Sequence, residues 1–89
     1  MEDLSKLPNI GSTAAEQLRE IGVESYADLL EMGSIGAAVK MRRQNIDVCM
    51  SKLYALEGAV RGVRWHELPK AERAELKKRY EAALKENGL

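Results

Sequence analysis

The sequence predicts an all-α fold, a compact bundle of five to six short helices, and three observations predict it. Ala, Leu, Glu, Lys and Arg dominate an 89-residue chain that has no Phe and two Pro, both at segment starts. Apolar residues return at helical rather than strand spacing in successive segments. Capping and stop residues punctuate the chain between those segments. The length predicts one domain, residues 1–89. A chain of this size hides roughly 60–65% of its unfolded surface on folding, which allows one core and little room for a deep enzyme pocket.

Leu4 to Leu7 reads as a short helix or turn ended by Pro8, because the residue before proline is pushed out of the helical region. Gly11 lets another backbone come close. A second helix starts at Ser12 or Thr13, with Thr13 and Glu16 spaced as a capping box. Ala14, Leu18 and Ile21 recur along it, and Gly22 is its stop. Ser25 with Asp28 forms a second cap, opening a short helix through Ala27, Leu29 and Leu30 to Gly33. Ser34 is expected to cap a fourth helix, Ile35 to about Arg43, whose last turn carries Lys40, Arg42 and Arg43. Gly33-Ser34-Ile35-Gly36 is too short for a phosphate loop and reads as a helix break.

Asp47 is expected to cap the fifth helix, Val48 to Arg61. Cys49, Leu53, Leu56, Val60 and Val63 lie along one stripe, and Ala55, Gly58, Ala59 and Gly62 along a nearly opposite one. A mid-helix Gly costs about 1 kcal/mol relative to Ala. Gly58 therefore predicts close approach of another helix, at roughly 8 Å between axes. Glu57 and Arg61 are spaced to pair at i, i+4. Val63-Arg64-Trp65-His66 is a connector, with Trp65 expected as a core anchor. Pro69 suits the first turn of a last helix, which runs to about Glu86. Leu76, Tyr80, Ala83 and Leu84 give it one apolar face, and Asn87-Gly88 stops it.

No run of 18 apolar residues occurs, so no membrane contact is expected. Met1-Glu2-Asp3 is acidic and lacks the apolar stretch of a signal peptide. Cys49 is the only cysteine, which excludes an internal disulfide and fits a reducing, cytoplasmic setting. The formal net charge is zero, which argues against a strong non-specific nucleic-acid binder. Its distribution is polarised. Residues 1–33 hold two bases and seven acids, a balance of −5; residues 34–65 hold six bases and two acids, a balance of +4; the remainder stands at +1.

Leu7-Pro8-Asn9-Ile10-Gly11, followed by Ala15, Leu18, Gly22-Val23 and Leu29, resembles the helix-hairpin-helix pattern of DNA-binding and DNA-repair proteins, a unit at about residues 4–33. Leu53-Tyr54-Ala55-Leu56-Glu57-Gly58-Ala59, then Arg61-Gly62, Trp65 and Leu68-Pro69, is more specific. In this order after the hairpin it is similar to the C-terminal domain of the TfoX/Sxy family, over roughly residues 4–84. The resemblance implies an all-helical domain, a link to bacterial regulators of competence for transformation, and no enzymatic activity. Full regulators of that family carry a further domain ahead of this one, so a stand-alone copy is expected here.

A hairpin binds phosphate by aiming backbone N–H groups at it, beside the positive end of the following helix. Asn9, Ile10, Gly11, Ser12 and Thr13 are the positions for this, with Lys6 adding charge. The plainer reading is a tight turn in which Ile10 plugs the core and Ser12 or Thr13 caps a helix. Lys40, Arg42, Arg43, Arg61 and Arg64 form a second candidate DNA surface, or simply a solvated face. Three or four phosphate contacts would bind weakly and with strong salt dependence. No aromatic residues interleave with these bases to stack single strands, and no base-reading helix stands out.

His66 and Cys49, with sixteen residues between them, do not make a metal set. Cys49 is expected to be an inert buried thiol. No catalytic constellation is visible, and no cofactor or small-molecule substrate is expected. Two functions remain. One is a non-catalytic module making weak, non-sequence-specific DNA contact. The other is a protein-interaction adaptor without direct DNA binding, for which the charge polarity also allows self-association.

Overall fold

A computed structural model describes residues 4–89; Met1, Glu2 and Asp3, the acidic start considered above, lie outside the described residues. The chain makes a 3₁₀ turn at Leu4–Lys6, then α1 (Ser12–Glu20), α2 (Tyr26–Arg43), α3 (Met50–Arg61), a second 3₁₀ turn at Trp65–Glu67, and α4 (Lys70–Glu86). The described residues thus hold four α-helices and no strand, rather than five to six helices. The break expected at Gly33 is present as a kink within α2, where two helical segments meet. Gly33 stands between their axes at φ 77°, ψ 164°, a conformation open to glycine and strained for other residues.

Several boundaries follow local chemistry. The Ser25 hydroxyl accepts from the Asp28 N–H at 3.1 Å, and the Asp28 carboxylate accepts from the Glu24 N–H at 3.0 Å. These bonds satisfy donors that a helix start leaves free. At the end of α1 the Gly22 and Val23 N–H groups bond the carbonyls of Arg19 and Leu18, closing the helix as its stop residue predicts.

Other expected caps do not form. The residue capping α1 is Gly11, with no side-chain bond, so Thr13 and Glu16 make no capping box. α3 begins at Met50 after an uncapped Cys49. Asp47 does not reach it; its carbonyl oxygen accepts from Lys52 Nζ at 2.9 Å instead. Cys49 is therefore exposed rather than buried, because it precedes the helix and its apolar stripe. Ser34 caps nothing. It is buried, and its hydroxyl donates to Glu57 Oε1 at 2.6 Å.

The core draws on every α-helix. Leu18 from α1, Leu29 and Met41 from α2, Leu53 and Leu56 from α3, and Leu76 and Tyr80 from α4 are at most 3% exposed. Each of the Leu and Met side chains contributes about 1.5–3 kcal/mol by leaving water. α2 makes its broadest contact with α3 and its next broadest with α4. Ala37, Ala38 and Ala59 are fully buried, and their small side chains let the helix backbones come close.

A polar chain reinforces this packing. Ser34 bonds Glu57, Glu57 pairs with Arg61 at 2.7 Å, and Arg61 pairs with Glu72 at 2.8 Å, joining α2, α3 and α4. Tyr26 Oη adds a bond from α2 to the Val60 carbonyl on α3 at 2.7 Å. The radius of gyration is 12.0 Å, against about 12 Å for a folded chain of this length.

Candidate nucleic-acid interface

The segment expected as the hairpin, Leu7 to Gly11, is a turn between the 3₁₀ turn and α1. The Leu7 N–H bonds the Leu4 carbonyl at 3.0 Å, and the Ile10 N–H bonds the Leu7 carbonyl at 3.2 Å. Asn9 takes a positive φ of 68°, which Asn tolerates better than most residues. Its side chain turns inward. Nδ2 donates to the Val63 carbonyl at 2.9 Å and the Ala55 carbonyl at 3.3 Å, and Oδ1 accepts from the Trp65 N–H at 3.1 Å. One side chain thus fastens the hairpin to the end of α3 and to the connector.

Gly58 completes this junction. A Cβ there would lie 2.5 Å from Asn9 Nδ2 and 2.7 Å from the Val63 carbonyl oxygen. The close approach expected from its glycine is real, but it is made by the hairpin and the connector rather than by another helix.

The candidate residues therefore divide. Asn9 and Ile10, the latter 4% exposed, hold the turn in place. Gly11, Ser12 and Thr13 are exposed at the start of α1, and Lys6 is exposed on the preceding turn. The first turn of α1 carries no acid and no side-chain cap. The Ala15 N–H bonds the Gly11 carbonyl at 2.9 Å, so the N–H groups ahead of it face outward from the helix end.

Beside that helix start lies a groove of ≈ 330 Å³ between the hairpin and α3. Ile10, Ala14, Met41 and Leu56 line its apolar part, Lys52 and Arg64 supply positive charge, and among the described residues no carboxylate lines it. Lys52 is held in place by Gln17 Oε1 at 2.8 Å and the Asp47 carbonyl.

The other predicted bases lie elsewhere. Lys40 Nζ reaches the Ile21 carbonyl at 3.4 Å, about 13 Å along α1 from the hairpin. It shares a second groove with Asp28 and Glu31. Arg43 bonds the Asn87 side chain, and Arg42 is half-buried in the last turn of α2. Arg61 is held between Glu72 and Glu57, whose hydrogen bonds, Glu72 first, raise its pKa above the ordinary arginine value. Of the five bases named from the sequence outside the hairpin, Arg64 is the one that lines the hairpin groove.

Sequence reasoning missed an aromatic cluster next to that groove. Trp65 and His66 stack with centroids 4.1 Å apart, and Tyr54 meets Trp65 at 5.9 Å. Arg73 Cζ lies 5.9 Å from the ring centroids of both Tyr54 and Trp65. Trp65 is half-buried rather than a core anchor; its backbone N–H, bonded to Asn9, pins the connector. Of the five bases about which no aromatic was expected to interleave, Arg64 shares a groove with Trp65, while the cation over the rings is Arg73, which was not among them. The signal was present as Trp65-His66 following Arg64, but Tyr54 and Arg73 join only through the fold. Among the described residues no three His, Cys, Asp or Glu side chains gather as a metal set, and no helix is long and apolar enough to cross a membrane.

A model of the TfoX C-terminal domain matches residues 1–80. Protein Sxy of Escherichia coli (strain K12) is 35% identical over 75 residues, 84% of this chain and 36% of that protein. The chain thus spans little more than a third, 36%, of the length of the curated relative it matches. Two crystal structures from Listeria monocytogenes are similar. One, an uncharacterized protein in a triclinic form, has a TM-score of 0.84 and 43% identity over 92% of this chain and 93% of that one. The other, a protein of unknown function in a tetragonal form, has a TM-score of 0.81 and 44% identity over 90% of this chain and 98% of that one. With the ordered motifs around the hairpin and α3, these matches show that the chain belongs to the TfoX C-terminal domain family.

Proposed function

We propose that this competence-regulator-like domain is a non-catalytic helix-hairpin-helix module that holds DNA weakly by its phosphates, without reading bases. The observation that carries this reading is the groove beside the start of α1, whose lining among the described residues has Lys52 and Arg64 and no carboxylate. An uncapped helix start favours an anion through its free N–H groups and its dipole; Ala14 of its first turn lines the groove, whereas the exposed Ser12 opens onto a separate groove with Glu16 and Arg19. Asn9 and Ile10 serve the site by fixing the turn. Two or three neutralised phosphates give a salt slope of about −2 to −3 and modest affinity.

Titration of a fluorescent duplex at low salt and at 200 mM salt tests this. Micromolar binding that is lost at the higher salt, and weakened by Arg64→Gln, is expected. No binding at low salt up to tens of micromolar overturns it. A second reading, an adaptor without DNA contact, is favoured by Leu30, which is 48% exposed on α2 next to Glu31. Light scattering across salt concentrations tests its self-associating version, for which a strict monomer at high protein concentration is the contrary result.

A further inference from the structure

The face made by α3, the second 3₁₀ turn and the start of α4 has features that folding does not call for. Lys70 and Arg73 sit in the first turn of α4, where positive charge opposes the helix dipole. Glu72, the acid of that turn, is taken by Arg61. Arg73 has no ion pair among the described residues, and its buried Nε has no hydrogen-bond partner. Around it lies a groove of ≈ 280 Å³ lined by Tyr54, Lys70, Arg73, Ala74 and Lys77, three cations and, among the described residues, no carboxylate; Glu67 on the adjoining 3₁₀ turn is taken by the Arg64 N–H at 3.1 Å. Trp65 walls the hairpin groove and Tyr54 walls this one. The two rings touch, so an aromatic ridge separates two cationic grooves, and the exposed His66 extends that ridge by stacking on Trp65.

We propose that this ridge binds a short stretch of unpaired nucleic acid. Bases stack on the aromatic cluster, and successive phosphates lie in the grooves on either side of it. Stacking platforms bordered by positive grooves are the general means of holding single strands without sequence preference. A duplex keeps its bases inside its own stack and offers the ridge nothing but phosphate. An acidic peptide would satisfy the cations and leave the rings in water. The inference rests on the phosphate contact proposed for the hairpin groove and names the ligand that continues past it.

Trp65 is the only tryptophan, so indole emission reports on the ridge directly. The full chain is titrated at low salt with a thymidine 12-mer, its abasic counterpart, a 12-base-pair duplex and a poly-glutamate of similar charge. The 12-mer is expected to quench Trp65 and to bind about tenfold more tightly than the abasic strand or the duplex. His66→Ala and Lys77→Gln, both at exposed positions, are expected to weaken the 12-mer severalfold and leave the duplex unchanged, with folding checked by circular dichroism. Duplex binding with no quenching and no preference for the 12-mer overturns the ridge and leaves the hairpin contact standing. Binding to none of the four overturns both. Equal affinity for poly-glutamate assigns the face to an acidic protein partner and overturns the inference.

Discussion

Arg61 closes α3 and Arg73 lies in the first turn of α4, yet their surroundings are opposite. Arg61 is clamped by Glu57 and Glu72 in a chain that reaches Ser34 on α2. Arg73 meets no carboxylate among the described residues and lies near two aromatic rings, within a groove shared with Lys70 and Lys77. The same division separates Asn9, whose side chain is spent on three backbone groups, from Ser12 and Thr13, which remain exposed beside it. Basic and hairpin residues are therefore not one surface. One set ties elements together through hydrogen bonds and ion pairs, and the other, half-buried Arg73 with exposed Lys70, Lys77, Ser12 and Thr13, has no carboxylate partner among the described residues.

Substitutions should separate the two sets. The largest loss is expected for Asn9→Ala. It strands the Val63 carbonyl and the Trp65 N–H, at about 1–3 kcal/mol each where buried, and puts Ala at a positive φ, for a total of about 3 kcal/mol. Urea unfolding measures it, and a loss below about 1 kcal/mol would mean that the hairpin is held by packing alone. Gly58→Ala follows at about 2–3 kcal/mol, since its Cβ must displace the Asn9 amide or the Val63 carbonyl. Because the two residues share one junction, the double variant is expected to lose less than the sum of the single losses. Additivity would show that they act separately.

Arg61→Gln should cost about 0.5–1 kcal/mol, the range for a partly exposed ion-pair network. The smallest effect is expected for Lys77→Gln, within about 0.5 kcal/mol of the unsubstituted protein, as for surface sites without partners. A stability loss there equal to that of Arg61→Gln would erase the contrast between the two regions.

The sequence made some of this legible because the determinants are local. The Ser25–Asp28 cap, the Gly22 stop, the bend at Gly33 and the Glu57–Arg61 pair each depend on residues within one turn of each other. The failures have a common cause. Asn9 finds its partners 46 to 56 residues away, and no periodicity announces that. Gly58 carried the signal of a close approach but not the identity of the group approaching. Thr13 and Asp47 had the right chemistry for caps, but α1 and α3 begin without using either side chain. At the candidate site, Arg64 was visible as a base near Trp65, whereas the ridge required Tyr54, Trp65 and Arg73 from three elements. Lys52 was counted among the bases, but nothing in its neighbours placed it beside the hairpin.

The most direct test of the division is a ¹H–¹⁵N correlation spectrum of the labelled protein as the thymidine 12-mer is added. The predicted movers are the backbone amides of Ser12, Thr13, Lys52 and Arg64 and the Trp65 indole N–H, while the Asn9 side-chain amide and Gly58 stay in place. Shifts centred on Lys40, Arg42 and Arg43, or on Arg61, with the Trp65 indole unmoved, would contradict it.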